Sequence, residues 1–321
     1  MKSDQVNCSL DGDIEVSVLA CPYDTQFLAL TVPHLIKSIG NVKALKTLLV
    51  DWNPVSGTYS TTYPERQEEK FKEICKFLLT EGWIDRVDRI YYEPDYVEKF
   101  LGANVKGEYR AKHDFRGYPT YGLMHAVLNS GKRYFVHFDS DMLIHQGAVE
   151  GWIDSGISLL KENNDIGAIM PKGGPPRVDG VIFQENYLND PRGFHSFSSF
   201  SSRLFLVDTI RFLDFHPVKP LWLGSRDKLR SFWDGKGKSM SWEAIITQAF
   251  LDSNLVRADL RSNDSWSLHP PVKNEMYLKW LPSIISSVEA GDFPPEQAGH
   301  YDINLKWWIK FLQDSQSIKR I

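Results

Sequence analysis

Arg133 to Met142 reads RYFVHFDSDM, and this stretch decides the fold. Its first six residues are aromatic, apolar and β-branched with little polar interruption, the signature of a strand buried on both faces. The run stops at Asp139-Ser140-Asp141, two carboxylates at the strand's carboxyl end. That edge is where open α/β sheets bind ligands.

The flanking sequence supports a sheet of this kind. Upstream, Ile14 to Ala20 (IEVSVLA) is a strand ending at Cys21-Pro22-Tyr23-Asp24, and Gln26 to Ile39 has helical apolar spacing. Leu45 to Val50 (LKTLLV) repeats the strand signature and stops at Asp51-Trp52-Asn53-Pro54, before a helix expected over Glu65 to Thr80. This β-α-β-α alternation predicts a parallel sheet covered by helices, with right-handed crossovers. A helix is expected over Tyr118 to Ser130, strands over Ile166 to Met170 and Arg203 to Val207, and a helix over Ser241 to Asn254. Pro171 to Gly180 and Asn186 to Ser202 read as loops shaping a pocket or a lid.

With 321 residues, 42% of them hydrophobic, the chain can bury a large core, and no Ser/Gly/Pro-rich linker divides it. The net charge of −4 lacks the electrostatic footprint of a general nucleic-acid binder, so no nucleic-acid partner is expected. Cys8, Cys21 and Cys75 are too few and too irregularly spaced for a disulfide framework or a zinc site, which fits a reducing cytoplasm. No run reaches the eighteen or so apolar residues of a membrane span. The amphipathic stretch Asn304 to Leu312 (NLKWWIKFL) leaves peripheral contact with a membrane or a partner subunit open, against the plainer reading of packing on its own domain.

Asp-x-Asp is a short pattern. The chain has 25 Asp residues, so chance gives about two matches, and two occur. The other, Asp11-Gly12-Asp13, lies in a polar stretch before the first strand and reads as a solvated turn. Asp139-Ser140-Asp141 differs in following a strong strand. Its carboxylates suit a hard divalent cation, Mn²⁺ or Mg²⁺, which bridges two phosphates and neutralises a departing diphosphate. The competing reading is a strand-end turn with an Asx cap.

The order of strand, Pro-Tyr-Asp loop, strand ending in Asp51, helix with Gly122 and then YFVHFDSDM resembles the nucleotide-binding half of GT-A glycosyltransferases, most closely glycosyltransferase family 2, over about residues 14–260. The resemblance implies a Rossmann-like α/β fold: a mostly parallel sheet flanked by helices, a smaller acceptor-side sheet and a C-terminal helical appendage. It implies a domain over 1–270, with a donor half at about 14–145 and an acceptor half at about 146–270, and the appendage over 271–321. It also implies nucleotide-binding roles for Pro22, Asp24, Asp51 and Asp139, and a diphosphate-facing role for Arg116 beside Gly117, whose fork suits phosphate oxygens. For Asp51 a turn before Asn53-Pro54 remains the alternative, and for Arg116 a plain surface position.

In that family a carboxylate at the start of a later helix, in a Trp-Glu-Asp pattern, takes the acceptor's proton. Here Ser241-Trp242-Glu243-Ala244 lacks the second acid, leaving Glu243 as the candidate base of an inverting transfer, against a helix-start carboxylate favoured by the macrodipole. Trp242 is weighed as a sugar-stacking platform against core packing. His269, in the Pro-terminated loop Asp264 to Pro271, is expected to join Asp139 and Asp141 on the metal, as many GT-A enzymes use a late His, with a structural role as the alternative. The expected donor is a nucleotide-diphosphate sugar, UDP-linked by resemblance, and the acceptor is an unidentified hydroxyl. Three other readings stay open: a retaining transferase, a nucleotidyltransferase, and a non-catalytic nucleotide-sugar binding protein.

Overall fold

The structure, a computed structural model, describes residues 12–52, 65–90, 114, 121–149, 151–219, 221–222, 224–226, 229 and 240–318. In chain order the strands are β1 Ile14–Ala20, β2 Leu45–Val50, β3 Arg86–Arg89, β4 Tyr134–Asp139, β5 Leu143–Gln146, β6 Ile166–Met170, β7 Lys172–Gly173, β8 Tyr187–Asp190, β9 Phe194–Phe197, β10 Leu204–Asp208, β11 Val256–Leu260 and β12 Ser265–Leu268. The helices are α1 Leu28–Lys37, α2 Glu65–Thr80, α3 Tyr121–Asn129, α4 Trp152–Glu162, α5 Thr209–Asp214, α6 Trp242–Asp252, α7 Glu275–Ala290 and α8 Leu305–Ile318.

Nine strands form one sheet in the order β3-β2-β1-β4-β10-β6-β11-β9-β8, and β5-β12-β7 form a second, smaller sheet. The fold is mixed α/β, a large central sheet flanked by helices. β3, β2, β1 and β4 run parallel, as the β-α-β-α reading requires. Beyond β4 the sheet changes character: β10 is antiparallel to both β4 and β6, β6 and β11 are parallel, and β9 and β8 are antiparallel additions. The parallel arrangement is thus concentrated in the first half of the chain.

Side-chain alternation along β4 shows how the layers are held. Tyr134, Val136 and Phe138 face a cluster with β1, α1, α2 and α4, whereas Phe135 faces α3, α5 and α6 on the other side. Burying each such side chain contributes about 1.5–3 kcal/mol, which explains why this strand reads as an unbroken apolar run. His137 points to the second face, stacked on Phe135 and Phe205 at 6.5 and 5.0 Å. Gly167 of β6 makes room for the buried Phe250 of α6: a Cβ there would lie 2.6 Å from the ring's Cζ. Gly122 likewise lets α3 approach, its missing Cβ leaving room for Ile90 Cδ1.

A third cluster joins the small sheet to α7 and α8 through Trp266, Leu268, Tyr277, Leu281, Ile284 and Trp308. Buried His34 of α1 stitches it to the main body: its Nε2 accepts from the Ile144 N–H at 2.9 Å, so its Nδ1–H faces Glu289 at 3.1 Å. Trp308 is fully buried and Trp307 packs near His300 at 5.4 Å, so these tryptophans of α8 pack on their own domain. Among the described residues, no helix is long and apolar enough to cross a membrane.

Two sequence expectations change. Ser265–Leu268 is a buried strand rather than part of a loop, because Trp266 and Leu268 fill the third cluster. Asn186 to Ser202 is largely the β8–β9 hairpin at the sheet edge, with Phe194, Phe197 and Phe200 buried, so it is not a lid. Of the two readings of Trp242, core packing holds: it is 4% exposed and lies in the second core cluster. In the control motif, Gly12 and Asp13 are exposed, and the Asp13 carboxylate accepts the Arg133 N–H at 3.0 Å. Asp11 lies outside the described residues.

Candidate functional site

β2 and β3 extend the sheet to one side of β1 and β4 begins the other, so strand addition reverses between β1 and β4. A crevice opens outside the carboxyl ends of strands at such a switch point. Both chain segments leaving these ends carry acids. After β1, buried Pro22 starts a single 3₁₀ turn, Pro22–Gln26, with φ preset by its ring. Asp24 in that turn accepts from the Cys21 N–H and from the Ser140 hydroxyl, each at 2.9 Å.

After β4, Asp139 N–H donates to Arg203 O at 2.7 Å, Ser140 N–H to Leu19 O at 3.1 Å and Met142 N–H to Asp139 O at 3.2 Å. This tight turn fixes Asp139 and Asp141 beside the β1 loop. Burial raises the Asp24 carboxyl to about 6; Asp141 adds to the rise, while the Cys21 N–H, the Ser140 hydroxyl and Lys273 oppose it. Part of Asp24 still reaches solvent, but its carboxylate is desolvated enough to titrate near neutrality.

Asp141 is 8% exposed, and its two oxygens differ. Oδ2 accepts from the Lys273 ammonium, while Oδ1 is buried with no hydrogen-bond partner among the described residues. Burial works against the charge of Lys273, but Asp141, Asp24 and Asp139 overcome it and raise its pKa. Lys273 precedes α7, whose N-cap Asn274 holds the Tyr277 N–H at 2.9 Å. The Tyr277 hydroxyl is pushed up by burial and by Asp141, which places α7's first turn against the same carboxylate.

His269 follows the last paired position of β12, Leu268↔Leu143, so it leaves the strand at the end where Met142 and Asp141 enter β5. Its Nδ1 pairs with Asp302 at 2.8 Å, and its ring stacks on Tyr301 at 6.0 Å. Among the described residues, no three His, Cys, Asp or Glu side chains converge as a metal cluster. Small hard cations seldom use such a cage: Mg²⁺ is held by one or two carboxylates plus substrate phosphates. One unpartnered carboxylate oxygen on Asp141 beside Asp139 fits that mode.

Asp51 is buried at the end of β2, its N–H donating to Ala20 O at 2.9 Å. The Cys21 thiol, pushed up by burial and by Asp24, also feels Asp51, so the three lie at one strand edge. Glu243 is exposed in the first turn of α6, where Ser241 caps the Ala244 N–H at 3.3 Å. Arg203 ties Glu243 to the crevice: burial works against its charge, but Tyr301, Asp139, Asp302 and Glu243 together raise its pKa. Arg116 and Gly117 lie outside the described residues.

Sequence reasoning missed Lys273, Arg203, Ser140 and Tyr301. Tyr301 belongs to an extended segment in which His269 N–H donates to Tyr301 O at 3.0 Å and Ile303 N–H to His269 O at 2.8 Å. Burial raises its hydroxyl; Arg203 and Arg257 oppose this, and Asp139 and Asp141 add to it. Tyr301 therefore lies within electrostatic reach of both the acids of the crevice and two arginines. No local pattern marks Lys273, Arg203 or Tyr301, because each acts through contacts distant in sequence; Ser140 lies inside the Asp-x-Asp pattern, but its hydroxyl serves Asp24, 116 residues away.

No protein-family model matches this chain. No curated protein matches it either. Among solved structures, the crystal structure of GalNAc-T7 with UDP, GalNAc and Mn²⁺ is similar over 80% of this chain, with 12% identity and a TM-score of 0.47. The match spans 43% of that chain, less than half its length.

Proposed function

We propose that this chain is a GT-A type glycosyltransferase that moves a sugar from a nucleotide-diphosphate donor, UDP-linked by preference, to a hydroxyl acceptor. The observation that carries the reading is Asp141 Oδ1, buried and unpartnered among the described residues, beside the Ser140–Asp24 hydrogen bond at the β1/β4 switch point. Residues 14–145 supply the donor half, residues 146–270 the acceptor half, and residues 271–321 brace both.

In this reading Pro22, Asp24 and Asp51 line the nucleoside end. Asp24 accepts a hydrogen bond from a base N–H or a ribose hydroxyl, which requires its ionised form. Asp139 and Asp141 would hold Mn²⁺ or Mg²⁺ together with the donor's phosphates, while His269, paired with Asp302, does not complete a three-residue set with them among the described residues. The cation would supply charge neutralisation for the departing diphosphate. Lys273 holds the Asp141 carboxylate in place. Glu243 takes the acceptor's proton in an inverting displacement, a role worth about 10²- to 10⁴-fold in rate. Arg203, within electrostatic reach of both Glu243 and Asp139, adds positive charge near the leaving group.

Calorimetric titration with UDP, GDP and dTDP, each with Mn²⁺ and with EDTA, tests this on the wild type and on Asp141→Ala. Metal-dependent binding of one nucleotide, lost in the variant, is expected; no binding under either condition overturns the reading. The Lys273–Asp141 pair favours one variation, in which the ammonium itself compensates the diphosphate. Binding that survives EDTA but is lost in Lys273→Met would assign the role to Lys273.

A further inference from the structure

At the same sheet edge as Asp139, three basic side chains gather without a counter-ion among the described residues. β4 and β6 are both antiparallel to β10, so their carboxyl ends lie on one side of the sheet, and β11 runs parallel to β6. Lys172 follows β6 after Pro171 and is 3% exposed, with Nζ donating to Asn263 Oδ1 at 2.5 Å. His195 of β9 is 1% exposed; its Nδ1 faces Asn189 Oδ1 at 2.9 Å, while its Nε2 is buried with no hydrogen bond among the described residues. Arg261 leaves the end of β11 and forms no ion pair or hydrogen bond among the described residues.

The nearest buried carboxylate does not balance them. Asp259, opposite both His195 and Met170, is held by Arg257 at 2.8 Å. Burial first, and Arg261 second, lower the Lys172 amine to about 8, and no acid offsets them. Burial, Arg261 and Lys172 in turn lower His195 to about 4. Burying a lysine without a counter-ion is destabilising. An arrangement that keeps such a lysine, a second free cation and an open imidazole nitrogen in one place is organised for an anion, since such groups cluster at functional sites.

We propose that Lys172, Arg261 and His195 form a second binding site, which takes a phosphate-type oxyanion carried by the acceptor. Two uncompensated cations match a dianionic phosphate monoester better than a monoanionic carboxylate, and Arg261 offers the planar fork that phosphate oxygens accept. Tyr301, on which Arg203, Arg257, Asp139 and Asp141 all act, lies within electrostatic reach of the donor crevice. The site stands on its own geometry; its assignment to the acceptor rests on the glycosyltransferase reading.

The test is calorimetric titration with inorganic phosphate of the wild type, Arg261→Gln, Lys172→Met and Lys273→Met. Saturable binding is expected in the wild type and in Lys273→Met, at least tenfold weaker in Arg261→Gln and absent in Lys172→Met. Arg261 is exposed, so its variant is read on a folded protein. Absence of wild-type binding, binding unchanged in both site variants, or binding lost in Lys273→Met overturns the proposal, the last because it puts phosphate in the carboxylate crevice. Glucose 6-phosphate and phosphatidic acid vesicles then distinguish a soluble from a lipid-borne ester: competition by either supports the acceptor assignment, and competition by neither overturns it. Phosphate binding at this site together with no nucleotide binding in any form would uphold the anion site and sink the glycosyltransferase reading.

Discussion

Lys273 and Asp141 are 132 residues apart in the chain and are joined as an ion pair at the carboxyl edge of the sheet. The pair holds the middle of a charged crevice in which Asp24 and Asp139 also act on the lysine. Lys273→Met leaves three carboxylates facing one another. Removing one partner of a fully buried pair costs about 3–5 kcal/mol. The Lys273 side chain is 38% exposed, so solvent screening reduces the expected loss to about 1–2 kcal/mol. Urea denaturation reads this loss, and millimolar Mn²⁺ is expected to restore part of it in the variant. No Mn²⁺ effect would argue against a cation site at Asp139 and Asp141.

Donor binding and chemistry are expected to separate by residue. Asp141→Asn removes metal-dependent nucleotide binding, whereas Glu243→Gln leaves nucleotide affinity within about twofold and lowers transfer by about 10²- to 10⁴-fold. Equilibrium titration alongside donor-turnover assays measures both. Full turnover in Glu243→Gln would remove it as the base and favour a retaining arrangement.

Lys172 gives stability a pH dependence of definite sign. Its amine is lowered to about 8 by burial and by Arg261, against 10.5 for the free side chain. Between these values the unfolded chain holds more protons than the folded one, so stability rises with pH across the window. His195, Arg261 and the Arg257–Asp259 pair are the charged or titratable groups around it. The rise from this one group is about 3 kcal/mol, and Lys172→Met is expected to abolish it. Urea midpoints at pH 7.5 and pH 9.5 for both proteins test the difference, and identical slopes would show that the amine is not perturbed.

Gly167→Ala tests the packing of α6 on the sheet. The added Cβ would meet Phe250 Cζ at 2.6 Å and Cε2 at 2.9 Å, in a ring with no exposed surface. Overpacking of this kind costs about 1–3 kcal/mol. A Phe250→Leu change made alone opens a cavity, but combined with Gly167→Ala it is expected to recover part of the loss. Thermal melts of the three variants check the coupling, and additive losses would argue against this contact.

The parts of the fold that were legible in sequence are those stabilised locally. β1, β2 and β4 are long apolar runs with turn residues at their ends, and their register carries Asp139 to the site. The short strands β7, β8, β9 and β12 have two to four residues each, too few to show a period, and they are held by partners elsewhere in the chain. Among site residues, Asp139 and Asp141 announce themselves at the end of a strand, and Asp24 by lying in the turn that follows one. Lys273, Arg203 and Tyr301 do not, because what places them is an ion pair, a backbone hydrogen bond to Asp139 and a bridge to His269. The uncompensated charge of Lys172 is likewise a property of its surroundings, invisible in Pro171-Lys172-Gly173 itself.

The placement of Lys273 sets an order for assembly during synthesis. β1 to β4 can pair once about 140 residues have emerged, and the acids of the crevice are then already present. β6 waits for its partners β10 and β11, and Lys273 follows later still. A nascent chain halted near residue 270 would hold Asp24, Asp139 and Asp141 without the ammonium that pairs with Asp141 in the finished fold. Charge balance in the crevice therefore waits on a lysine made 132 residues after the carboxylate it meets.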